Sequence, residues 1–172
     1  MVSLVAMTKD ASPDHVDKIL AQWGRERPEL NVEPMGIIGR LHRLTTHLGR
    51  EIEAVLMQHG LSISAFDVMA TLRRAGAPYQ LSPGELLAMT MVSSGTMTNR
   101  IDQLEKAGLV ERINNPQDRR SVLIALTDKG FAIVDEAVTA HVARQNELLA
   151  GVSEGDRREF DRLLKVFLSD FE

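Results

Sequence analysis

Residues 93–130, SSGTMTNRIDQLEKAGLVERINNPQDRRSVLIALTDKG, decide the fold that we predict for this chain. Apolar residues recur at helical spacing in the first third of this stretch, and Gly108 is placed to end that helix. Two short, largely apolar runs, 110–113 and 121–126, then flank a turn-rich segment. Strands on either side of turn residues indicate a hairpin, and Thr127 is a suitable cap for a following helix.

A second short helix is predicted just before this stretch. Ser82 and Glu85 stand three residues apart with a proline between them, which is the pattern of a capping box. The helix that they open runs to about Thr90, and Ser93 or Ser94 then caps the next one. Two short helices joined by a tight turn and followed by a hairpin predict a winged helix-turn-helix, with the second helix reading DNA.

The rest of the chain is predicted to be helical. Ser12 caps the first helix, with Pro13 at its first position. Pro34 opens a long second helix that Gly60 ends, and a third follows at about 64–75. Thr127 and Ser153 start the last two helices. The fold class is therefore mainly α with a small β-hairpin wing, in three segments: 12–60, 61–127 and 128–172.

Composition limits the classes of function. The chain has 172 residues, 44% of them hydrophobic, and no cysteine, which excludes disulfides, thiolate zinc sites and cysteine redox switches. The longest apolar run, at 86–92, is too short to cross a bilayer, and the N-terminus lacks the basic region of a signal peptide. We therefore expect a cytoplasmic protein with no membrane partner. A net charge of −4 disfavours non-specific coating of nucleic acid but allows a local basic surface.

The predicted reading helix has two distinct faces. Met97, Ile101 and Leu104 share one face at about 100° per residue, and Asn99 points away from it. Small polar residues on the outer side suit close approach to base edges in a major groove. The candidate DNA contacts on this helix are Ser94, Thr96, Thr98, Asn99 and Gln103. Without the hairpin, the same residues would equally fit a merely solvated face.

The predicted wing carries two adjacent arginines at its tip. Arg119 and Arg120 would reach the neighbouring minor groove, whose negative potential favours inserted arginine. Asp118 is placed to hold one guanidinium by a bidentate pair. The alternative is an ordinary solvated charge pair.

The same residues resemble the MarR family of bacterial transcription regulators. The similarity rests on the N-R-I-x-x-L-E-x-x-G-L-V-E-R run, the D-R-R-S wing tip and the L-T-x-x-G sequence at the start of the long helix, and it spans about 35–170. It implies a homodimer on a palindromic DNA operator. The helices in 12–60 and 128–172 would form the dimerisation region, and 61–127 the DNA-binding domain.

An additional helix before Pro34, with the sequence QWGRERPELNVEPMGIIGRL, resembles the PecS-like, urate-responsive subgroup. That resemblance implies a ligand site formed by Trp23, Asp67, Arg100 and Arg112. It implies a repressor that urate, or a similar small planar anion, releases from its operator. The ligand itself stays open, because related chains can respond to phenolic or carboxylate compounds, or to a metal.

Helical geometry supports part of this site independently. Arg100 flanks the apolar face of the reading helix, and a partly buried arginine needs an anionic partner. Asp67, in an otherwise apolar stretch, is the expected partner. A structural ion pair of these two residues and simple core packing of Trp23 are the alternatives.

Other functions are less well supported by the sequence. The five histidines show no metal-ligand spacing, and the chain has no phosphate loop, nucleophile elbow or paired carboxylates, so we expect neither an enzyme nor a cofactor. A winged helix used only for protein–protein contact is a further alternative. The basic wing tip argues against it.

Overall fold

The computed structural model describes residues 12–90, 97–118 and 120–171, and it confirms the predicted fold class. Its elements, in chain order, are α1 His15–Glu26, α2 Glu33–Gln58, α3 Ile63–Arg74, β1 Gln80–Leu81, α4 Pro83–Met89, α5 Met97–Lys106, β2 Val110–Asn114, β3 Val122–Leu126, α6 Asp128–Leu148 and α7 Glu154–Leu168. The chain divides into two compact units between Gly49 and Arg50. The functional segments 12–60, 61–127 and 128–172 stay predictions.

In the first unit, the start of α1 differs from the prediction. The N-cap is Asp14, whose carboxylate accepts hydrogen bonds from the backbone of Val16 at 2.7 Å and of Asp17 at 3.0 Å. The predicted cap at Ser12 is therefore wrong by two residues. Asp17 completes a capping box with Asp14, and Arg40 Nε of α2 also donates to the Asp14 carboxylate at 2.9 Å. This bond and those from the backbone lower the pKa of Asp14 to about 2.

The predicted capping box at the start of α4 is confirmed. The Glu85 backbone N–H donates to Ser82 Oγ at 3.2 Å, and Glu85 Oε2 accepts from the Ser82 backbone at 2.8 Å. The hydrogen bonds that the Glu85 carboxylate accepts from the Ser82 backbone N–H and the Ser82 hydroxyl lower the pKa of Glu85. Four local residues thus fix the beginning of a helix with only seven residues.

The predicted end of α5 at Gly108 is also confirmed. Gly108 has a φ of 68°, in the left-handed region where glycine is favoured. Its N–H donates to Glu105 O at 2.9 Å, and the N–H of Leu109 donates to Leu104 O at 2.9 Å. This pair of bonds is a Schellman motif, which satisfies the last carbonyls of the reading helix.

One hydrophobic core occupies the second unit. It brings together α3, α4, α5, the sheet and α6 around side chains that are almost fully buried. These include Leu56, Leu61, Val68, Met69, Leu72, Leu86, Met97, Ile101, Leu104, Val110, Ile124, Val134 and Ala137. Each short element is therefore held mainly by apolar burial against its neighbours.

The sheet has three strands rather than the two that were predicted. All pairs are antiparallel in the order β1-β3-β2, with Leu81 opposite Ile124 and Ile124 opposite Arg112. β1 contains only Gln80 and Leu81. Two residues cannot show the period of two that identifies a strand in sequence, so only pairing with β3 reveals it.

The start of α6 is fixed to the end of α5. Thr127, the predicted and observed N-cap of α6, donates its hydroxyl to Gly108 O at 2.8 Å, and its backbone N–H donates to Leu109 O at 3.2 Å. Lys129 Nζ donates to Ala107 O at 3.0 Å. Through these bonds, the N-terminus of α6 holds the chain reversal that follows the reading helix.

Within the described residues, no single helix is long and apolar enough to cross a membrane. The helices α2 and α3 meet the length and composition requirement only as a bent pair. In the same part of the chain, no three histidine, aspartate or glutamate side chains are grouped so that they could hold a metal ion.

Candidate DNA-binding and effector sites

The helical phase predicted for α5 is confirmed. Met97, Ile101 and Leu104 are buried in the core. The outer face carries three of the predicted DNA contacts, all of them solvent-exposed: Thr98, Asn99 and Gln103. The other two, Ser94 and Thr96, lie outside the described residues. The exposed side of α5 therefore presents short polar side chains, which can approach base edges closely.

Short-range hydrogen bonds join the described residues of the wing tip. Asn115 Nδ2 donates to Ser121 Oγ at 3.0 Å, and Ser121 N donates to Asp118 O at 3.0 Å. Asp118 Oδ1 accepts from the backbone N–H of Arg120 at 3.0 Å. Among the described ion pairs none joins Asp118 to the Arg120 guanidinium, and the expected pair of Asp118 with one of the two arginines stays a prediction. The Arg120 side chain is exposed, and Arg119 lies outside the described residues.

Arg100 is only partly exposed on α5, and its Nη1 is buried without a hydrogen-bond partner in the described structure. The expected partner, Asp67, lies on α3, where its backbone carbonyl accepts from Thr71 Oγ1 at 2.7 Å. Because Arg100 Nη1 has no hydrogen-bond partner, the Asp67 carboxylate is not its acceptor. An ion pair of the two residues stays a prediction. Sequence spacing gives the phase of each helix but not the separation of side chains on different helices.

Arg112, on β2, is held by two carboxylates of the reading helix. Its guanidinium forms ion pairs with Asp102 and Glu105, and its backbone N–H donates to Glu105 Oε1 at 3.3 Å. These contacts, of which the hydrogen bond that Arg112 donates to Asp102 has the largest effect, raise the pKa of Arg112 above its ordinary value. Neither Asp102 nor Glu105 was predicted from the sequence as a partner of Arg112. The signal was their spacing of three residues on α5, which puts two acidic groups on one flank.

Trp23 lies on α1 in the first unit, whereas Asp67, Arg100 and Arg112 lie in the second. The Trp23 side chain is 40% exposed. It is therefore not a simple core residue of its own unit. The shared ligand site stays a prediction.

A short helix, an exposed polar reading helix and an antiparallel wing, packed on one core in chain order, define a winged helix-turn-helix DNA-binding protein. The sequence profile of the MarR family matches residues 61–122. The chain is also 42% identical over 149 residues to the HTH-type transcriptional regulator PecS of Dickeya dadantii, an alignment that covers 87% of this chain and 90% of PecS. The chain belongs to the MarR family of transcription regulators.

Other relatives support the same assignment. The multiple antibiotic resistance protein MarR of Escherichia coli is 33% identical over 100 residues, which cover 58% of this chain and 67% of that protein. A cysteine-to-serine mutant of E. coli MarR, complexed with operator DNA, matches with a TM-score of 0.68 at 27% identity. That match covers 85% of this chain and 97% of the solved chain. The family consists of transcription regulators rather than enzymes, as the sequence predicts.

Proposed function

We propose that this protein is a homodimeric repressor that leaves a pseudo-palindromic operator when urate, or a similar small planar anion, binds. The observation that carries this proposal is the buried, unpartnered Nη1 of Arg100. A buried cationic donor without a partner is costly, and a small anion would supply the missing acceptor. Because Arg100 lies on the reading helix, occupation of this position acts directly on the element that contacts DNA. The protein would work in the cytoplasm.

The unpartnered donor of Arg100 defines the first step of the proposed switch. The ligand can accept a hydrogen bond from Arg100 Nη1 without first breaking an ion pair at that atom, because the atom has no partner. Release from DNA then requires that the anion bind the DNA-incompetent form more tightly than the DNA-bound form. Such coupling is reciprocal, so operator DNA must weaken ligand binding by the same factor.

Exposed apolar side chains support the homodimer. A whole face of α7 is solvent-exposed, with Phe160, Leu163, Leu164, Phe167 and Leu168 on it. The first half of α2 exposes Met35, Ile37, Ile38 and Leu44. Exposed apolar helix faces of this kind mark protein–protein contact, and a two-fold symmetric dimer is the commonest arrangement. Two reading helices would then contact half-sites roughly 10 base pairs apart, centre to centre.

Replacing Arg120 by alanine is expected to weaken operator binding by about 1–3 kcal/mol. The exposed side chain at the wing tip would lose its contact with the minor groove, while the backbone bond to Asp118 is retained. Gel-shift titration at fixed salt measures the effect. Arg158→Ala serves as the control, because it also removes one positive charge, but from α7, which is far from the wing along the chain. Equal affinities for wild type and Arg120→Ala would disprove the role of the wing.

Urate is expected to quench the fluorescence of Trp23, the only tryptophan, in a saturable way and to release operator DNA over the same concentration range. The coupling between urate and DNA should be about 1–3 kcal/mol. Fluorescence titration, corrected for the absorbance of urate, and DNA release measure the two effects. Arg100→Ala should keep the fold and lose the response, because it removes the unpartnered donor.

Lys106→Ala is the matched control, because it also removes one cation from α5 but from an exposed position. It should respond to urate as the wild type does. A lack of saturable quenching excludes urate and leaves a phenolic, carboxylate or metal effector. Normal release of DNA in an Asp67→Asn, Arg100→Ala double variant would reject the proposed site for any effector.

A further inference from the structure

The contact between Arg112 and α5 joins the two DNA-binding elements. Arg112 lies on β2, opposite Ile124 of β3, so a restraint on Arg112 restrains both strands of the wing. Its two partners, Asp102 and Glu105, lie on the reading helix. The Arg112 side chain is 31% exposed, so water screens these ion pairs only in part.

The geometry of this contact can fix the position of the wing relative to the reading helix. Arginine presents donors in a planar fork, and two carboxylates bound to one fork fix its orientation more tightly than a single pair does. The backbone N–H of Arg112 adds a third bond, to Glu105. The described residues thus link α5 to β2 by side-chain and main-chain bonds at the same residue.

We infer that Arg112 is a positioning residue for DNA binding, which sets the wing relative to the reading helix through Asp102 and Glu105. The reading helix and the wing must enter neighbouring grooves of one duplex, so a small change in their separation costs contacts on one side. Arg112 needs no contact with DNA for this role. An anion that binds the Arg112 guanidinium must compete with the two carboxylates for its donors.

Two variants test this inference from opposite electrostatic directions. Arg112→Gln removes a positive charge, whereas the Asp102→Asn, Glu105→Gln variant removes two negative ones. Simple electrostatics predicts that the second variant binds DNA more tightly, because fewer like charges face the phosphates. Positioning predicts that both variants bind the operator more weakly, on the order of tenfold, and lose protection of the wing-contacted minor groove. Gel shifts at fixed salt and hydroxyl-radical footprinting measure the two effects.

The triple variant separates positioning from general loss of stability. If the three residues act as one unit, combining the changes should weaken binding no more than either variant alone. Arg144→Gln is the matched control, because Arg144 is 33% exposed and is also held by two carboxylates, Glu51 and Glu147, but lies on α6. It should keep the wing footprint. Tighter operator binding by the carboxylate variant, or an unchanged footprint in Arg112→Gln, would overturn the inference.

Discussion

Replacing Gly130 by alanine is expected to destabilise the protein by about 3 kcal/mol or more, at the upper end of the cost of overpacking. A Cβ at this position would lie 1.9 Å from the carbonyl oxygen of Leu109 and 2.8 Å from its carbonyl carbon. Both are backbone atoms, so no side chain can rotate away. The melting temperature should fall by roughly 6–12 °C, measured at one protein concentration.

Leu109 cannot easily move to relieve this contact. Its carbonyl accepts from Thr127 N at 3.2 Å, and its N–H donates to Leu104 O at 2.9 Å. A shift would therefore break the C-terminal bonds of α5 or the cap of α6. We expect operator affinity to fall together with stability, because the displaced segment ends the reading helix.

Gly155→Ala is the matched control for Gly130→Ala. Gly155 also lies in the first turn of a helix, α7, but a Cβ there would meet only Ser153 Oγ at 3.9 Å, an ordinary contact. Alanine should stabilise this position by about 0.5–1 kcal/mol, since it reduces the backbone entropy of the unfolded chain. A Gly130→Ala protein that melts like the wild type would show that α6 and the loop after α5 are not in contact.

Replacing Leu86 by alanine is expected to cost about 2–5 kcal/mol of unfolding free energy. Leu86 is completely buried and is the buried residue that anchors α4 in the core. A helix of seven residues is not stable by itself, because too few hydrogen bonds offset the cost of its first turn. Loss of this anchor should therefore affect the whole helix-turn-helix, and urea unfolding measures the change.

Met89→Ala on the same helix is the control, because that side chain is 43% exposed. It removes a side chain of similar size but should cost less than about 1 kcal/mol. If the two variants are equally stable, then burial of Leu86 is not what holds α4 in place.

Elements whose signals are local were predictable from the sequence. The capping box of Ser82 and Glu85, the stop at Gly108 and the cap at Thr127 each depend on a few neighbouring residues. The phase of α5 follows from helical geometry alone, so the exposure of Asn99 follows from the spacing of the apolar residues around it. The winged helix-turn-helix itself follows from the order of these elements.

Contacts between distant segments were not predictable, because spacing along the chain does not give distances across the fold. Arg40 of α2 binds the carboxylate of Asp14, the N-cap of α1, from 26 residues away in the chain. β1 becomes a strand only by pairing with β3.

The charged groups show most clearly that the sequence does not give distances across the fold. The sequence by itself determined the fold class, the reading helix and the identity of the arginines beside it. Only the tertiary structure decided that Arg112 binds Asp102 and Glu105, and that Arg100 keeps a buried donor without a partner. An ion pair requires atoms within a few ångströms, and that separation is set by how helices and strands pack on a shared core.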